Sequence, residues 1–443
     1  MAILRVDGGT ALRGVLPTLG AKNAALPLLA ASLLTAEGET ELLAVPRLTD
    51  VDVMVEILRT LGAQVAVEPW VNGQQRLCVR AAEPLDTTVP PHLMARMRSS
   101  VFLLGPLLAR VGRARIAYPG GCDIGSRPID LHLRGLARMG ARIEERDGEI
   151  EASAPGGLAG AYIRLDLPSV GATENLMMAA ALARGETVIE GAAREPEVVD
   201  LARMLNAAGA VVTGAGERVV RVRGVNALGG VRHRVIPDRI EAGTILLAGA
   251  ATGGEVRVEG PVAPSLEAFI AVLRESGAEV EADADGVEVR GPAEGRAHPV
   301  DVRTAPHPGF PTDLQPVLMA YLARAHGTSV VQETIFENRF GHASALVRMG
   351  ARVRVVGRTA VVDGVERLRG VPVAAGDLRA AGALVVAALG AEGSTDVAGL
   401  GHLERGYQDL DARLTALGAK VRRVEGEAAR PPTAVPEPAV QAS

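Results

Sequence analysis

The sequence repeats one unit six times, and this repeat limits the folds that the chain can adopt. A short helix that ends in Gly-Ala returns at intervals of roughly 70 residues. Glycine at this position suits a left-handed helix cap, and the valine-rich run that follows suits a strand. The six copies are ILRTLGAQV at 57–65, LARMGARIEE at 136–145, ARMLNAAGAVV at 202–212, VLRESGAEVEA at 272–282, LVRMGARVRVV at 346–356 and RLTALGAKVRRV at 413–424.

Each unit also contains an earlier helix that is apolar nearly all round. KNAALPLLAASLL, RSSVFLLGPLLAR and EAGTILLAGAA are three examples. A helix without a polar face should be buried, whereas the amphipathic Gly-Ala helices should face solvent. Strands follow both helices, so each unit is interpreted as a βαβαββ-type repeat. The sequence therefore predicts an α/β fold.

The two ends of the chain are predicted to complete one unit between them. The closing strand pair of the repeat reads VRVRGVNALGG at 220–230 and AVVDGVERLRG at 360–370, and the sixth unit lacks it. A similar piece, LRVDGGTALRG, stands at 4–14. We infer that the N-terminal segment crosses over to the last unit.

This crossover divides the chain into two domains of three units each. Connections near Gly20 and Gly230 then predict a hinge and a cleft that can close. The segment from about Gly426 to Ser443 is rich in Ala, Pro and Glu, which predicts disorder. The predicted parts are a first domain of residues 22–229, a second domain of residues 1–21 plus 230–425, and a disordered tail of residues 426–443.

Composition excludes several classes of function. The net charge of −5 argues against a general nucleic-acid binder. Two cysteines in 443 residues give neither a disulfide framework nor a metal-ligand cluster, which fits a reducing cytoplasm. No signal-peptide pattern is visible, and the longest apolar runs are too short to span a bilayer. We expect a cytoplasmic protein with no metal, no cofactor, no nucleic-acid or membrane partner and no obligatory protein partner.

Residues 118–130, YPGGCDIGSRPID, place one of the two cysteines in a glycine-rich loop. Glycine tolerates unusual backbone angles, so the loop should be mobile. Arg127 lies five residues after Cys122, and a nearby cation favours thiolate, the reactive form of cysteine. The loop alone is equally consistent with a catalytic thiol and with a surface loop that carries an incidental cysteine.

Polar residues collect at the N-terminal ends of the apolar helices and in the loops before the Gly-Ala helices. Helix N-termini carry partial positive charge and free amides, so several of them at one cleft would bind anions. Each residue alone has a structural alternative: Asn23 and Ser169 could be helix caps, and Asp313 an ordinary first-turn acid. Their equivalent positions in the units favour a shared site. The set includes Lys22, Asn23, Arg98, Cys122, Arg127, Ser169, Asp313, Arg339, Arg379 and Arg405.

The motifs that carry these residues resemble one enzyme family, the UDP-N-acetylglucosamine 1-carboxyvinyltransferases, within the EPSP synthase and enolpyruvyl transferase group. The resemblance runs from about Leu4 to Val424. It implies a two-domain inside-out α/β barrel with three βαβαββ-type repeats in each domain. The motifs are GAKNAALP at 20–27, PGGCDIGSRPIDLH at 119–132, SVGATEN at 169–175, AAREPEVVD at 192–200, PDRIEAGT at 237–244, RTAPHPGFPTD at 303–313, FENRF at 336–340, DLRA at 377–380 and ERGY at 404–407.

This resemblance implies transfer of the enolpyruvyl group of phosphoenolpyruvate to the 3′-hydroxyl of UDP-N-acetylglucosamine, with release of phosphate, as the first committed step of peptidoglycan synthesis. Adding an alcohol across the enol double bond needs a proton delivered to C3 and another taken from the hydroxyl. By resemblance, Cys122 is the acid and the thiol that the epoxide fosfomycin alkylates. Asp313 is the base, and Lys22 and Arg405 complete the catalytic set.

The resemblance also implies two sets of substrate contacts. Leu167 departs from the pattern, because some members of the family have lysine there, and Asp123 could raise the pKa of the neighbouring thiol. The contacts to phosphoenolpyruvate would come from Lys22, Asn23, Arg127, Arg339, Arg379 and Arg405. The contacts to UDP-N-acetylglucosamine would come from Asn23, Arg98, Arg127, Pro128, Ile129, Asp130, Leu131, Leu167, Pro168, Ser169, Val170, Asp313 and Ile335.

Alternatives from the sequence are a related transferase and a protein without catalysis. A 5-enolpyruvylshikimate-3-phosphate synthase resembles the family in fold and reaction, but it lacks the loop cysteine and has Lys-Ser in place of Lys22-Asn23. A non-catalytic nucleotide-sugar-binding paralogue would have lost Cys122, Asp313 or Arg405, and all three are present. An RNA-end-modifying enzyme is disfavoured by the acidic charge balance.

Overall fold

The six repeated units each build one small sheet around buried helices. The computed structural model describes residues 2–81, 85–120, 129–293 and 295–425. Its six sheets and the helices between them confirm the predicted α/β class. The loop residues 121–128 and the tail predicted to be disordered, residues 426–443, lie outside the described residues.

The chain begins with two strands, β1 (Ala2–Asp7) and β2 (Arg13–Pro17), and then enters the first three units. Buried apolar side chains between Ala21 and Val235 form one core, and we call this part the N-lobe. Its elements are α1 (Lys22–Ala31), β3 (Thr40–Val45), α2 (Thr49–Thr60), β4 (Gln64–Pro69), β5 (Gln75–Arg80), α3 (Pro91–Met94), α4 (Leu104–Val111), β6 (Arg113–Ala117), α5 (Asp130–Arg138), β7 (Arg142–Arg146), β8 (Glu149–Ser153), β9 (Tyr162–Arg164), α6 (Val170–Ala180), β10 (Glu186–Glu190), α7 (Pro196–Ala207), β11 (Val211–Thr213), β12 (Val219–Arg223) and β13 (Val231–Arg234).

The last three units form a second core, from Leu4 to Leu16 and from Ile240 to Ala419, which we call the C-lobe. Its elements are α8 (Arg239–Ala251), β14 (Glu255–Glu259), α9 (Glu267–Glu275), β15 (Glu279–Asp283), β16 (Gly286–Arg290), β17 (Val302–Arg303), α10 (Gln315–Leu322), β18 (Thr328–Gln332), α11 (Ala343–Arg348), β19 (Arg352–Val356), β20 (Thr359–Asp363), β21 (Val373–Ala374), α12 (Leu378–Leu389), β22 (Ser394–Ala398), α13 (Leu400–Leu403), α14 (Leu410–Ala416) and β23 (Lys420–Glu425). Short 3-10 helices span Ser32–Leu34, Val71–Gly73, Arg98–Leu103, Ala263–Ser265 and Thr312–Leu314.

The apolar helices lie inside and the sheets outside, as the sequence predicts. Helix α12 is buried along its whole length, and α8 is buried from Arg239 to Ala250. Glycine allows the close packing, since a Cβ added at Gly243 would lie only 2.6 Å from Leu314 Cδ1. Strands such as β14 and β20 bury alternate residues, so one face of their sheets covers the helices and the other faces solvent.

The glycines of the Gly-Ala helices all adopt the predicted left-handed conformation. Each one follows the end of a solvent-facing helix, where a residue with a side chain would be strained. Their φ angles run from 86° to 108°. This confirms the helix ends predicted at Gly62, Gly140, Gly209, Gly277, Gly350 and Gly418.

The chain crosses between the lobes twice, and the strands next to the crossings pair with different lobes. Strand β1 pairs antiparallel with both β22 and β23, so the N-terminal segment completes the last unit. Strand β2 lies parallel to β14 of the C-lobe, whereas β13 lies parallel to β3 of the N-lobe. The two connections meet where Ala21 N donates to Ile236 O over 2.7 Å.

The position of β13 bears on the predicted domain boundary. The sequence interpretation starts the second domain at residue 230, yet Val231–Arg234 pairs within an N-lobe sheet. The division into residues 22–229 and residues 1–21 plus 230–425 therefore stays a prediction. The pairing indicates that the second crossing lies after Arg234.

Glu241, in the first turn of α8, makes folding stability depend on pH. Its side chain is buried, and burial raises its pKa to about 7 against the opposing charge of Arg413, whose Nε lies 3.4 Å from Glu241 Oε1. The folded protein therefore holds a proton here between pH 4.5 and about 7 that the unfolded chain has released. Stability from this group falls as pH rises through that window.

We expect the Glu241→Gln variant to lose this pH dependence. The difference between the unfolding free energies of wild type and variant should move in favour of the variant by up to about 3 kcal/mol as pH rises from 4.5 to above 7. Urea unfolding at a series of pH values measures this difference. A constant difference between the two proteins would contradict the prediction.

Candidate active site

Two cations from different lobes meet on the carboxylate of Asp50. Lys22 opens α1 and is buried, and its Nζ lies 2.6 Å from Oδ2 of Asp50, the second residue of α2. Arg405 follows α13 in the C-lobe, and its Nε donates to Asp50 Oδ1 over 2.9 Å. Thr49 N donates to Glu404 O over 3.2 Å, and this bond also joins the start of α2 to the loop that carries Arg405. The structure thus brings together Lys22 and Arg405, which the sequence assigns to one substrate.

Asp313 joins two buried arginines of the C-lobe. It lies in the 3-10 turn that leads into α10. Arg379 Nη2 donates to Asp313 Oδ2 over 2.8 Å, and Arg339 Nη2 donates to Oδ1. The two guanidiniums lie over aromatic rings, Arg339 at 5.5 Å from the centroid of Phe336 and Arg379 at 5.7 Å from that of Tyr407. Ring stacking and ion pairing together fix both arginines.

The ionisation of the site follows from these pairs. Burial alone would raise the pKa of Asp313, but Arg379 and Arg339 outweigh it and hold that pKa well below its usual range. Burial lowers the pKa of Lys22, the nearby Arg379 and Arg405 lower it further, and Asp50 opposes them. Asp313 is therefore a carboxylate at neutral pH, and Asp50 favours the charged form of Lys22.

Another ion pair between the lobes lies beside these two clusters. Arg239 donates from Nε and Nη2 to the carboxylate of Glu197, over 3.1 and 3.3 Å. Asp238 caps α8 and also accepts from Lys22 N over 3.2 Å. Among the described residues of the site, cations and carboxylates are nearly balanced, so an anionic substrate must compete with resident carboxylates for these cations. The cations are Lys22, Arg239, Arg339, Arg379 and Arg405, and the carboxylates are Asp50, Glu197, Asp238 and Asp313.

The elements that carry most of the predicted nucleotide-sugar contacts pack together in the N-lobe. The 3-10 helix that begins at Arg98 and helix α5, which begins at Asp130, both contact α6. Ser169 caps α6, and its Oγ accepts from Ala172 N over 3.3 Å. A Cβ added at Gly171 would lie 3.3 Å from the His132 ring, so the first turn of α6 lies directly against α5.

The other predicted contacts lie at the surface, next to the clusters or outside the described residues. Leu167 is 69% exposed on the loop before α6, and the neighbouring Pro168 is also exposed. Asn23 is half-buried next to Lys22, and the half-buried Ile335 donates from its N to Glu333 Oε1 over 2.7 Å. Cys122, Arg127 and Pro128, predicted as acid and substrate contacts, lie outside the described residues.

Sequence reasoning missed Asp50 and Glu197, and it assigned no substrate contact to Arg239. Asp50 follows the pattern of an ordinary first-turn acid, because acids are common at helix N-termini. Glu197 lies inside the motif AAREPEVVD and Arg239 inside the motif PDRIEAGT. Their position within these motifs was the sequence feature that could have indicated a role in the site. Only the packing of α7 against α1 and of the two lobes against each other shows that these residues line the site.

The described part of the chain offers no cluster of metal-ligating side chains. Within the same residues, no helix combines the length and apolar character that crossing a bilayer requires.

The protein has two lobes whose apolar helices lie inside. The chain crosses between the lobes twice, and arginine–carboxylate ion pairs join them at their interface. This arrangement defines an enolpyruvyl transferase fold. The chain belongs to the EPSP synthase family, because the family profile described as EPSP synthase (3-phosphoshikimate 1-carboxyvinyltransferase) matches residues 6–414.

Individual relatives extend the similarity over nearly the whole chain. A protein of Symbiobacterium thermophilum named UDP-N-acetylglucosamine 1-carboxyvinyltransferase 1 is 55% identical, covering 95% of this chain and 94% of its own. A protein of the same name from Halalkalibacterium halodurans is 52% identical with the same coverage. The crystal structure of the enolpyruvyl transferase NikO from Streptomyces tendae matches with a TM-score of 0.86 at 28% identity, covering 96% of this chain and 99% of its own.

Proposed function

We propose that this protein transfers the enolpyruvyl group of phosphoenolpyruvate to the 3′-hydroxyl of UDP-N-acetylglucosamine and releases phosphate. The observation that carries the proposal is the 55% identity, over 95% of the chain, to a relative named for this reaction. The family profile instead carries the name of the shikimate enzyme, so the acceptor must be tested directly. The reaction would begin peptidoglycan synthesis in the cytoplasm.

The two cation clusters support phosphoenolpyruvate as one substrate. This molecule carries a phosphate and a carboxylate, and the site has two separate groups of cations. Lys22 and Arg405, with Arg127 from the cysteine loop, would hold the phosphate. Arg339 and Arg379 would hold the carboxylate in the paired geometry that suits guanidinium groups.

The position of Asp313 supports its role as the base. It is ionised at neutral pH, as a base must be, but its two ion pairs make it a weak one. The substrate carboxylate would compete for the same two arginines and loosen their hold. The pKa of Asp313 would then rise, because burial would no longer be outweighed by Arg339 and Arg379. Asp313 would take the proton of the sugar hydroxyl as its oxygen bonds to C2, and Cys122 would protonate C3, which gives a tetrahedral intermediate. Loss of phosphate from C2 and of a proton from C3 would then restore the double bond.

Closure of the two lobes would complete this site. Lys22 and Cys122 belong to the N-lobe sequence, whereas Asp313, Arg339, Arg379 and Arg405 belong to the C-lobe. The nucleotide sugar would bind chiefly to Asn23, Arg98, residues 127–131 and residues 167–170 of the N-lobe, with Asp313 and Ile335 from the other side. Bringing the lobes together places acid and base on one substrate and excludes water.

Phosphate release from phosphoenolpyruvate tests the proposal. We expect release when UDP-N-acetylglucosamine is the acceptor and none with shikimate 3-phosphate. Release only with the shikimate would identify the other branch of the family. No release with either acceptor, from protein shown to be folded by circular dichroism, would favour a non-catalytic nucleotide-sugar binder.

A further inference from the structure

We infer that Asp50 is a positioning residue that holds Lys22 and Arg405 together across the lobe interface as one phosphate-binding pair. The inference deepens the proposed function and rests on it for the identity of the phosphate ester. Asp50 belongs to neither set of substrate contacts that the sequence predicts.

The geometry shows one carboxylate shared by two cations of separate lobes. Asp50 is only 2% exposed. Its Oδ2 lies 2.6 Å from Lys22 Nζ, and its Oδ1 accepts from Arg405 Nε over 2.9 Å. The backbone bond from Thr49 N to Glu404 O keeps the helix start and the arginine-bearing loop in register. Asp50 therefore fixes the distance between the ammonium group of Lys22 and the guanidinium group of Arg405, which lie in different lobes.

Charge explains why a carboxylate is needed at this point. Lys22 lies near Arg379 and Arg405, and the acids near it are Asp50 from α2 and Asp238 from the N-cap of α8. Without Asp50, the buried Lys22 and the half-buried Arg405 would repel each other, which would favour a neutral lysine. Asp50 offsets the repulsion between the two cations, so that both can face a phosphate once the lobes have met.

The choice of lysine at position 22 supports this role. Lys22 and Lys420 are the only lysines among the 47 basic residues of the chain, and the other basic residues are arginines. Lys420 is exposed at the start of β23, so Lys22 is the buried one. An ammonium with three donors can serve Asp50 and a phosphate together, but unlike arginine it can lose its proton when buried. A neighbouring acid protects it from that loss.

The two lysines allow a direct measurement. In protein labelled with ¹³C at lysine Cε, NMR should show two signals that titrate separately, with Lys420 as the internal reference. We expect the Asp50→Asn variant, which keeps the shape but loses the charge, to titrate Lys22 at lower pH with Lys420 unchanged. We expect Asp50→Glu, which keeps the charge but not the shape, to remain closer to wild type. If Asp50 had only a packing role, Asp50→Glu would disturb the titration of Lys22 more than Asp50→Asn, because glutamate is the larger change in shape at a buried position.

Kinetics give a second readout. For Asp50→Asn we expect kcat/KM for phosphoenolpyruvate to fall about 10- to 100-fold, as for loss of one charge-assisted hydrogen bond, with the KM for UDP-N-acetylglucosamine nearly unchanged. The alkaline limb of the pH profile should also move to lower pH. Asp52→Asn is the matched control, since Asp52 is an exposed acid in the same first turn of α2.

Binding of inorganic phosphate, measured by calorimetry, separates this inference from the proposed function because it needs no turnover. Weaker phosphate binding by folded Asp50→Asn supports the inference even if the acceptor is misassigned. Wild-type phosphate affinity together with an unchanged Lys22 titration would overturn it. If Asp50→Asn does not fold, wild-type protein still decides: added phosphate should raise the pKa of Lys22 and leave Lys420 unchanged, and no response from Lys22 would overturn the inference.

Discussion

Replacement of Asp313 by asparagine is expected to lower kcat by about 10²- to 10⁴-fold, the usual contribution of a general base. The asparagine side chain cannot take the proton of the sugar hydroxyl. Its amide oxygen can still accept from one of Arg339 and Arg379, so the two buried guanidiniums lose less than they would with alanine. Phosphate release at saturating concentrations of both substrates measures the effect.

The structure changes the variant that should be made at this position. From the sequence, Asp313→Ala is expected to block turnover with little effect on folding, because a cleft-facing acid is not part of the core. The two ion pairs indicate that alanine would remove the carboxylate that both buried arginines contact directly. Asp396→Asn is a suitable control, because it removes a carboxylate from a pair with Arg5 in the outer sheet, at 2.7 and 2.8 Å. Normal kcat in folded Asp313→Asn would remove Asp313 from the mechanism.

Replacement of Cys122 by serine is expected to slow turnover strongly and to abolish inactivation by fosfomycin. Serine is a much weaker acid than cysteine, so protonation of C3 should fail. It is also a poor target for the epoxide, because alkylation requires a thiolate. Time-dependent loss of phosphate release, with mass spectrometry of the treated protein, measures both effects.

The other cysteine provides a control within the same molecule. Cys78 is buried in β5, and burial raises the pKa of its thiol, so it should remain unmodified. Cys78→Ser should therefore keep its sensitivity to fosfomycin, whereas Cys122→Ser should lose it. If Cys122→Ser is still inactivated, the reactive group lies elsewhere and the role assigned to Cys122 is wrong.

Local chemistry explains why so much of the fold could be predicted from the sequence. A glycine after a short helix, followed by a valine-rich run, has few structural solutions, and Gly62 and Gly418 adopt the expected backbone although they stand at opposite ends of the chain. Helix α12 has no polar face and is buried along its length for that reason. The missing strand of the sixth unit was predictable because LRVDGGTALRG at 4–14 is similar to the closing strand pair of the other units, and β1 supplies that strand.

Contacts between distant segments were harder to predict. Strand β13 pairs with β3, and β2 pairs with β14. The sequence of Val231–Arg234 does not indicate this choice, because its residues are compatible with the edge of either sheet. Asp50 is an ordinary first-turn acid until Arg405, 355 residues away in sequence, approaches it. The ion pair between Arg239 and Glu197 likewise exists only because the lobes meet.

The sequence by itself determined the repeated unit, the burial of its apolar helices and the residues able to bind anions, because these follow from short-range periodicity and side-chain chemistry. The tertiary structure decided how those charges are paired. It placed Asp50 between Lys22 and Arg405, and Asp313 between Arg339 and Arg379. The physical reason is that electrostatic energy depends on distance and on exclusion of water, and both are set only when the two lobes pack together.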